Sequence, residues 1–226
     1  MIATPMRAWL GPDSLHPKMR EALACLAQLS DDPECPYYFE MATIEGGLAR
    51  GRNIIAKRFL AGGCKWLLSW DDDIEATAED VLRLLAHHRP FVAGLVTTRS
   101  DNPHYVATFM HEVELQKNGL LQVIEVGTPF QLVHRQVFEE IARIYPKLEY
   151  SDRDTGERVF AFYQQLAMVT DLRPDGDFLS EDYFFCHLCR HSKVGMFVDT
   201  TMKLYHRGKD GTLYPKEWPP IPGVTP

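Results

Sequence analysis

Asp71, Asp72 and Asp73 stand side by side, directly after the apolar run Trp66-Leu67-Leu68-Ser69-Trp70. An apolar strand that ends in acids puts carboxylates at the carboxyl edge of a sheet, where open α/β folds hold their ligands. Adjacent carboxylates raise each other's pKa unless a cation or a set of donors offsets the charge. The chemistry they suit is a divalent metal, held by hard oxygens and shared with a phosphate-bearing substrate. In extended geometry Asp71 and Asp73 point one way and Asp72 the other. The pair would put two carboxylates on one cation, or one on the cation and one on a ribose. A charged loop that caps the next helix is the plainer reading of the same residues.

Two further elements carry groups of the same kind. Glu181 and Asp182 follow Ser180 at the start of a helical stretch, and His206 follows a long apolar strand. A fold that joined them to the aspartates would have metal ligands on one side and a carboxylate base on the other. An imidazole from His206 would favour manganese over magnesium alone. Simpler explanations exist for each. Acids in a first helical turn suit the helix dipole, and a single histidine is more often packed or solvated than a ligand. Cys186 and Cys189 have CxxC spacing, but no second pair completes a zinc site. In a helix they read as buried thiols. Five cysteines, an odd number, without a secretory signal argue for reduced thiols.

The elements that must position these groups alternate. Ile2 to Thr4 reads as a strand ending at Pro5. Leu15 to Leu29 has helical apolar spacing at Met19, Leu23, Leu26 and Leu29. Tyr37 to Ile44 is a strand, and Gly46-Gly47 breaks the chain. A helix follows with Leu48, Ile54, Ile55 and Leu60, and Gly62-Gly63 ends it. Lys65 to Trp70 is the strand before the acids. Thr77 and Asp80 have capping-box spacing. Pro90 stops that helix, and Phe91 to Val96 is the next strand. The alternation implies a parallel, doubly wound sheet. Further on, Val106–Glu114 and Leu120–Val126 read as antiparallel strands with the Asn118-Gly119 hairpin signal. Val133 to Ile144 is a helix. Tyr150 to Asp177 is polar, a loop or small hairpin beside the site. Ser180 to His191 is a helix with Ser180 as N-cap. Val194 to Leu204 is a strand ending at Tyr205-His206. The proline-rich stretch 214–226 reads as lacking regular structure.

The bulk numbers are those of an ordinary globular protein. The chain has 226 residues, 45% hydrophobic and 24% charged, enough apolar material for a sizeable core. Its net charge of -7 disfavours broad nucleic-acid binding. No apolar run approaches the roughly 18 residues that span a bilayer, and Met1 to Arg7 has no signal-peptide core, so a cytoplasmic location is expected. An EF-hand starting at Asp71 would need glycine at 76 and glutamate at 82; the chain has Ala76 and Leu82. No P-loop motif occurs, and no G-x-G-x-x-G follows the first strand.

The ordered set KWLLSWDDDI, Ser-Glu-Asp-Tyr-Phe-Phe at 180–185 and Tyr-His-Arg at 205–207 resembles a GT-A fold glycosyltransferase of the family 2-like kind. Asp71-x-Asp73 matches the DxD motif. Ala49-Arg50-Gly51-Arg52-Asn53 resembles the helix before the DxD strand, Phe91 to Leu95 with Arg99 the strand after it, and Gly127 to Val133 the strand before the acceptor-side helix. The resemblance implies a Rossmann-like, mainly parallel mixed sheet flanked by helices, with a small antiparallel acceptor-side region. It implies one domain over 1–212, a nucleotide-sugar half (1–100) and an acceptor half (101–212), with a tail at 213–226. It implies transfer from a UDP-sugar with Mn2+ or Mg2+, with Asp73 and His206 as metal ligands and Asp71 on the metal or the ribose. Asp182 would be the general base of an inverting reaction, and Glu181 could hold the acceptor or exchange roles with it. Thr4, Pro5, Arg7, Arg50, Arg52, Asn53, Asp72 and Arg99 would line the donor site. The central Asp72 departs from the motif and blurs which pair of acids acts. A sugar nucleotidyltransferase and a non-catalytic nucleotide-sugar-binding module are the alternatives. The acceptor would be a carbohydrate, or a hydroxymethylated DNA base as in bacteriophage enzymes of this shape; Arg207, Lys209, Tyr214, Lys216 and Trp218 could meet a flipped base.

Overall fold

A computed structural model describes residues 1–6, 15–45, 47–110, 114–222 and 224. β1 (Ile2–Met6), α1 (Pro17–Ser30), β2 (Met41–Glu45), α2 (Leu48–Ala61), β3 (Trp66–Trp70), β4 (Ile74–Glu75), α3 (Ala78–Ala86) and β5 (Phe91–Gly94) follow in order. Then come β6 (Ala107–Phe109), β7 (Leu120–Val126), β8 (Phe130–His134) and α4 (Arg135–Ile144). Two small hairpins, β9 (Glu149–Ser151) with β10 (Arg158–Phe160) and β11 (Leu166–Met168) with β12 (Asp177–Leu179), lead to α5 (Glu181–His191). β13 (Met196–Asp199), β14 (Tyr205–Arg207) and β15 (Leu213–Tyr214) complete the order.

Eight strands form one sheet in the order β2-β1-β3-β8-β5-β13-β7-β6. β1 pairs in parallel with β2 and β3, and β5 with β13, while β7 and β8 pair antiparallel with every neighbour. Six strands therefore run one way and β7 and β8 run against them. The chain has the expected α/β class, a mainly parallel mixed sheet flanked by helices with small antiparallel sheets beside it.

Side chains alternate along the strands, which splits the core into two layers. Leu67, Phe91 and Ala93 face Phe59, Phe138 and Phe185 of α2, α4 and α5. Leu68, Trp70 and Val92 face Met19, Leu26, Val81 and Leu84 of α1 and α3. The aromatic centre lies in the first layer, where Phe138 stacks on Phe185 at 5.2 Å and meets Phe162 edge-on at 5.0 Å. Each such ring, fully buried, contributes about 1.5–3 kcal/mol. The capping box is present: Asp80 donates its N–H to Thr77 Oγ1 and returns a carboxylate oxygen to the Thr77 N–H at 2.8 Å.

Some expectations need correcting. The strand expected over 194–204 ends at Asp199, whose Oδ1 accepts from the N–H and the hydroxyl of Thr201. That local turn ends β13, and the chain re-enters a separate three-stranded sheet, β15-β14-β4. The helix expected from Val133 begins at Arg135, because Val133 and His134 belong to β8 and the His134 ring caps the Gln136 N–H. Leu213–Tyr214 is a strand, although the stretch from Tyr214 read as irregular. The strand expected from Tyr37 starts at Met41. In the Asn118-Gly119 turn Gly119 has φ of +81°, which only glycine adopts without strain; residues 111–113 of the strand expected before it lie outside the described residues. So does Gly46 of the expected break.

Candidate active site

β3 is buried along Leu67 to Trp70, and its last side chain fixes the acid turn. The Trp70 indole N–H donates to the Ile74 carbonyl at 3.0 Å, across the three aspartates. The Asp71 N–H donates to the Pro129 carbonyl at 2.9 Å, and the Ile74 N–H to the Asp71 carbonyl at 3.1 Å. After the turn, β4 pairs antiparallel with β14, Ile74 opposite His206. The Arg207 N–H then donates to the Asp73 carbonyl at 2.7 Å. Backbone pairing thus sets the histidine beside the third aspartate.

The two outer carboxylates have different surroundings. His206 Nε2 is 3.3 Å from Asp73 Oδ2, and Arg99 Nη1 is 2.7 Å from the same oxygen. His206 Nδ1 is 3.0 Å from the Thr97 carbonyl. A carbonyl only accepts, so Nδ1 carries a proton and Nε2 is the nitrogen turned to the carboxylate. Burial opposes the Asp73 charge, but His206 and Arg99 outweigh it and hold its pKa below the usual value. Asp71 turns the other way. Both its oxygens lie 3.2 Å from Nη2 of Arg52, which is only 4% exposed. Burial pushes the Asp71 carboxyl up despite Arg52, and Asp73 and Glu181 add to the rise.

Arg52 also faces Glu181, Nε to Oε1 at 3.7 Å, while Glu181 Oε2 accepts from the Gln165 amide at 3.2 Å. Burial works against the Arg52 charge, and Asp71, Glu181 and Asp182 more than offset it. Arg52 Nε and Nη1 are buried without a hydrogen-bond partner among the described residues. Asp182, next along α5, has a divided environment. Oδ1 accepts from the Ser180 hydroxyl and from the Tyr183 N–H at 2.9 Å. Oδ2 lies 3.3 Å from where a Cβ on Gly127 would stand, so the missing side chain at 127 leaves this oxygen its space. Burial, then the neighbouring Glu181, raises the Asp182 pKa.

Arg52, Asp71, Asp73, Arg99, Glu181 and His206 are thus linked in two chains of contacts that begin at the same turn. Asp72 is half-buried between the two. Arg50 is not brought there: Nε and Nη2 hold both oxygens of Asp152, at 2.8 and 2.9 Å, on the β9–β10 hairpin. Asn53 clamps the Tyr163 backbone in both directions at 2.9 Å. Thr4 is buried on β1 with Pro5 after it, and Arg7 lies outside the described residues. Two of the cationic groups near the C-terminal end are engaged: Arg207 with Glu75, Lys216 with Asp101. Tyr205 and Trp218 meet edge-on at 5.5 Å beside His206. Sequence reasoning missed Gln165 and the Thr97 carbonyl. Neither has a signature, because any polar side chain or any backbone carbonyl can do what they do.

As a possible metal site, Asp73 with His206 has the right chemistry: a hard oxygen and an imidazole nitrogen turned towards it by its own Nδ1–H bond. Among the described residues, Asp71, Asp73 and His206 do not bring three ligand atoms within 4.8 Å of one another.

No family model matches this sequence, and no curated protein matches it either. Among solved structures, the crystal structure of A197 from STIV superposes on 94% of this chain and 91% of its own, with 14% identity and a TM-score of 0.53. The nucleoside-diphosphate-sugar pyrophosphorylase from Vibrio cholerae RC9 superposes on 91% of this chain and 95% of its own, with 12% identity and a TM-score of 0.44. The first likeness is one of fold alone. The second superposition is too loose to carry anything over.

Proposed function

We propose that this chain is a metal-dependent glycosyltransferase that moves a sugar from a UDP-sugar to an acceptor hydroxyl, with inversion. One observation carries the reading. Carboxylates at the carboxyl end of β3, an imidazole 133 to 135 residues later in sequence and the acidic start of α5 meet through the contacts of a single turn. Asp73 and His206 are the residues that hold a divalent ion, manganese or magnesium. When bound, such an ion supplies a Lewis acid that neutralises the diphosphate leaving group.

The remaining roles follow from what each side chain is free to do. Glu181 accepts the Gln165 amide at Oε2 and faces the Arg52 charge across 3.7 Å at Oε1, so both oxygens are turned to groups of the protein. It is a positioning residue. Among the described residues Asp182 Oδ2 has no hydrogen-bond partner, and burial raises its pKa above the ordinary carboxylate value, which makes it the stronger base. Asp182 is therefore the group that takes the acceptor hydroxyl's proton as the oxygen attacks the anomeric carbon. The nucleoside diphosphate leaves on the opposite face, which inverts the centre. Asp71, held by Arg52, faces the donor ribose. Arg99, ion-paired with Asp73, is the cation that would meet the donor diphosphate. The aromatic rings of Tyr205 and Trp218 beside His206 offer apolar surface on which a sugar acceptor can stack. The net charge of -7 counts against a DNA acceptor.

The test is a donor screen. Purified protein is mixed with UDP-, GDP- and dTDP-sugars, with and without manganese, and free nucleoside diphosphate is measured. Manganese-dependent release from UDP-sugar is expected. No release from any donor, with no thermal shift, would sink the reading. Adding oligosaccharides in one arm and hydroxymethylated DNA in another then identifies the acceptor by which one accelerates release.

A further inference from the structure

We propose a second metal site, independent of the first, in which Asp171, His187 and His191 bind a zinc ion that fastens the β11–β12 hairpin to α5. Each residue offers one ligand atom, and the three atoms lie within 4.8 Å of one another. A tetrahedral zinc with ligands at about 2.0–2.2 Å needs separations of about 3.3 Å. Exposed side chains cover that difference by small rotations, and Asp171 and His191 are both exposed.

The sequence places two of the ligands together for a simple reason. His187 and His191 are four apart on α5, one turn of one face. Their rings lie 4.1 Å apart at 38°. Cys186 and Cys189 of the same helix point into the core, where burial drives both thiols away from the thiolate form. The CxxC spacing is thus a packing feature, while the histidines face outward beside it.

Proton positions favour ligation. His191 Nδ1 is 2.9 Å from the His187 carbonyl, so that nitrogen donates there and Nε2 is the ring nitrogen left to meet a metal. His187 Nδ1 is buried and has no hydrogen-bond partner among the described residues. Buried polar atoms are rarely left so. Two imidazoles and a carboxylate are a zinc-type donor set. Arg190 now neutralises Asp171 and would give up one oxygen to the ion.

The position has a consequence. Asp171 lies between β11 and β12, and Gln165, one residue before β11, holds Glu181 at the other end of α5. Zinc would tie the same hairpin and helix together at both ends.

The experiment uses the full chain, equilibrated with zinc, dialysed and analysed for bound metal. Wild type and Asp73→Asn, which disables the site beside the acid turn, are each expected to retain one zinc per chain and to melt higher with it. His191→Ala, an exposed substitution checked by circular dichroism, is expected to lose both the zinc and the shift. The proposal fails if wild type holds no stoichiometric zinc. It fails equally if a folded His191→Ala chain keeps it.

Discussion

Asp182 and Glu181 are adjacent acids with opposite situations, and substitution separates them. Asp182→Asn is expected to cut transfer by about 10²–10⁴-fold while donor binding persists. Its sign for stability is the reverse of its sign for activity. Burial raises the Asp182 pKa, so the folded state disfavours the charge, and the acid costs stability as pH rises through that raised value. An uncharged amide removes this cost, so Asp182→Asn should melt at or above the wild-type temperature at neutral pH. The pH profile of kcat/KM should show an acidic limb above the ordinary carboxylate range; a limb at the ordinary value would refute the base assignment. Arg52→Ala has a different effect. It strands Asp71 and Glu181 without their shared cation, and should cost about 3–5 kcal/mol in urea unfolding. At this scale the acids and His206 were legible, because charged groups stand at the ends of apolar runs. Sequence spacing alone does not tell Arg50 from Arg52. Two residues apart on a helix they point to different sides, and so one meets the acid turn and the other the hairpin.

The elements divide into a stiff sheet and attached hairpins. β3 and β5 are buried on both faces, while β9–β10 is fastened to α2 by Arg50–Asp152 and by Lys57–Glu157 at 2.7 Å. The Arg50 guanidinium holds the Asp152 carboxyl well below its ordinary range. A depressed acid contributes stability above its unfolded pKa and loses it as pH falls through the folded value. The hairpin should therefore loosen in acid before the sheet does. Arg50→Ala should produce the same loosening at neutral pH: faster hydrogen exchange at 149–151 and 158–160, with β3 and β5 unchanged. Equal protection in both proteins would show that the ion pair does not hold the hairpin. Strand-helix alternation made the first half readable, since β3 and β5 are apolar runs and Gly62-Gly63 and Pro90 mark the ends of the helices before them. The second half hid its breaks in side-chain chemistry. The Asp199 carboxylate turns the chain at 201, and the Arg135 guanidinium reaches the Phe59 and Leu60 carbonyls at 2.6 and 2.8 Å. Periodicity carries no trace of either.

As a whole the chain is one sheet between two helical layers, and among the described residues no helix is long and apolar enough to cross a membrane. Ligands that bind only the folded form stabilise it by mass action, about 2.7 kcal/mol at a hundred times Kd. Manganese and UDP should therefore raise the melting temperature more together than the sum of each alone, and Asp73→Ala should abolish that excess; strictly additive shifts would argue against a shared site. The small sheet that joins β4 to β14 has a further effect, on the timing of folding. Glu75 and Arg207 are 132 residues apart, and this pairing sets His206 beside Asp73. Long-range pairs form late, because the intervening chain must be ordered first. A nascent chain still threaded in the ribosome can build most of its strands yet lack the late histidine. The acid turn is thus completed only once 74–75 and 205–206 have paired, after most of the large sheet has formed.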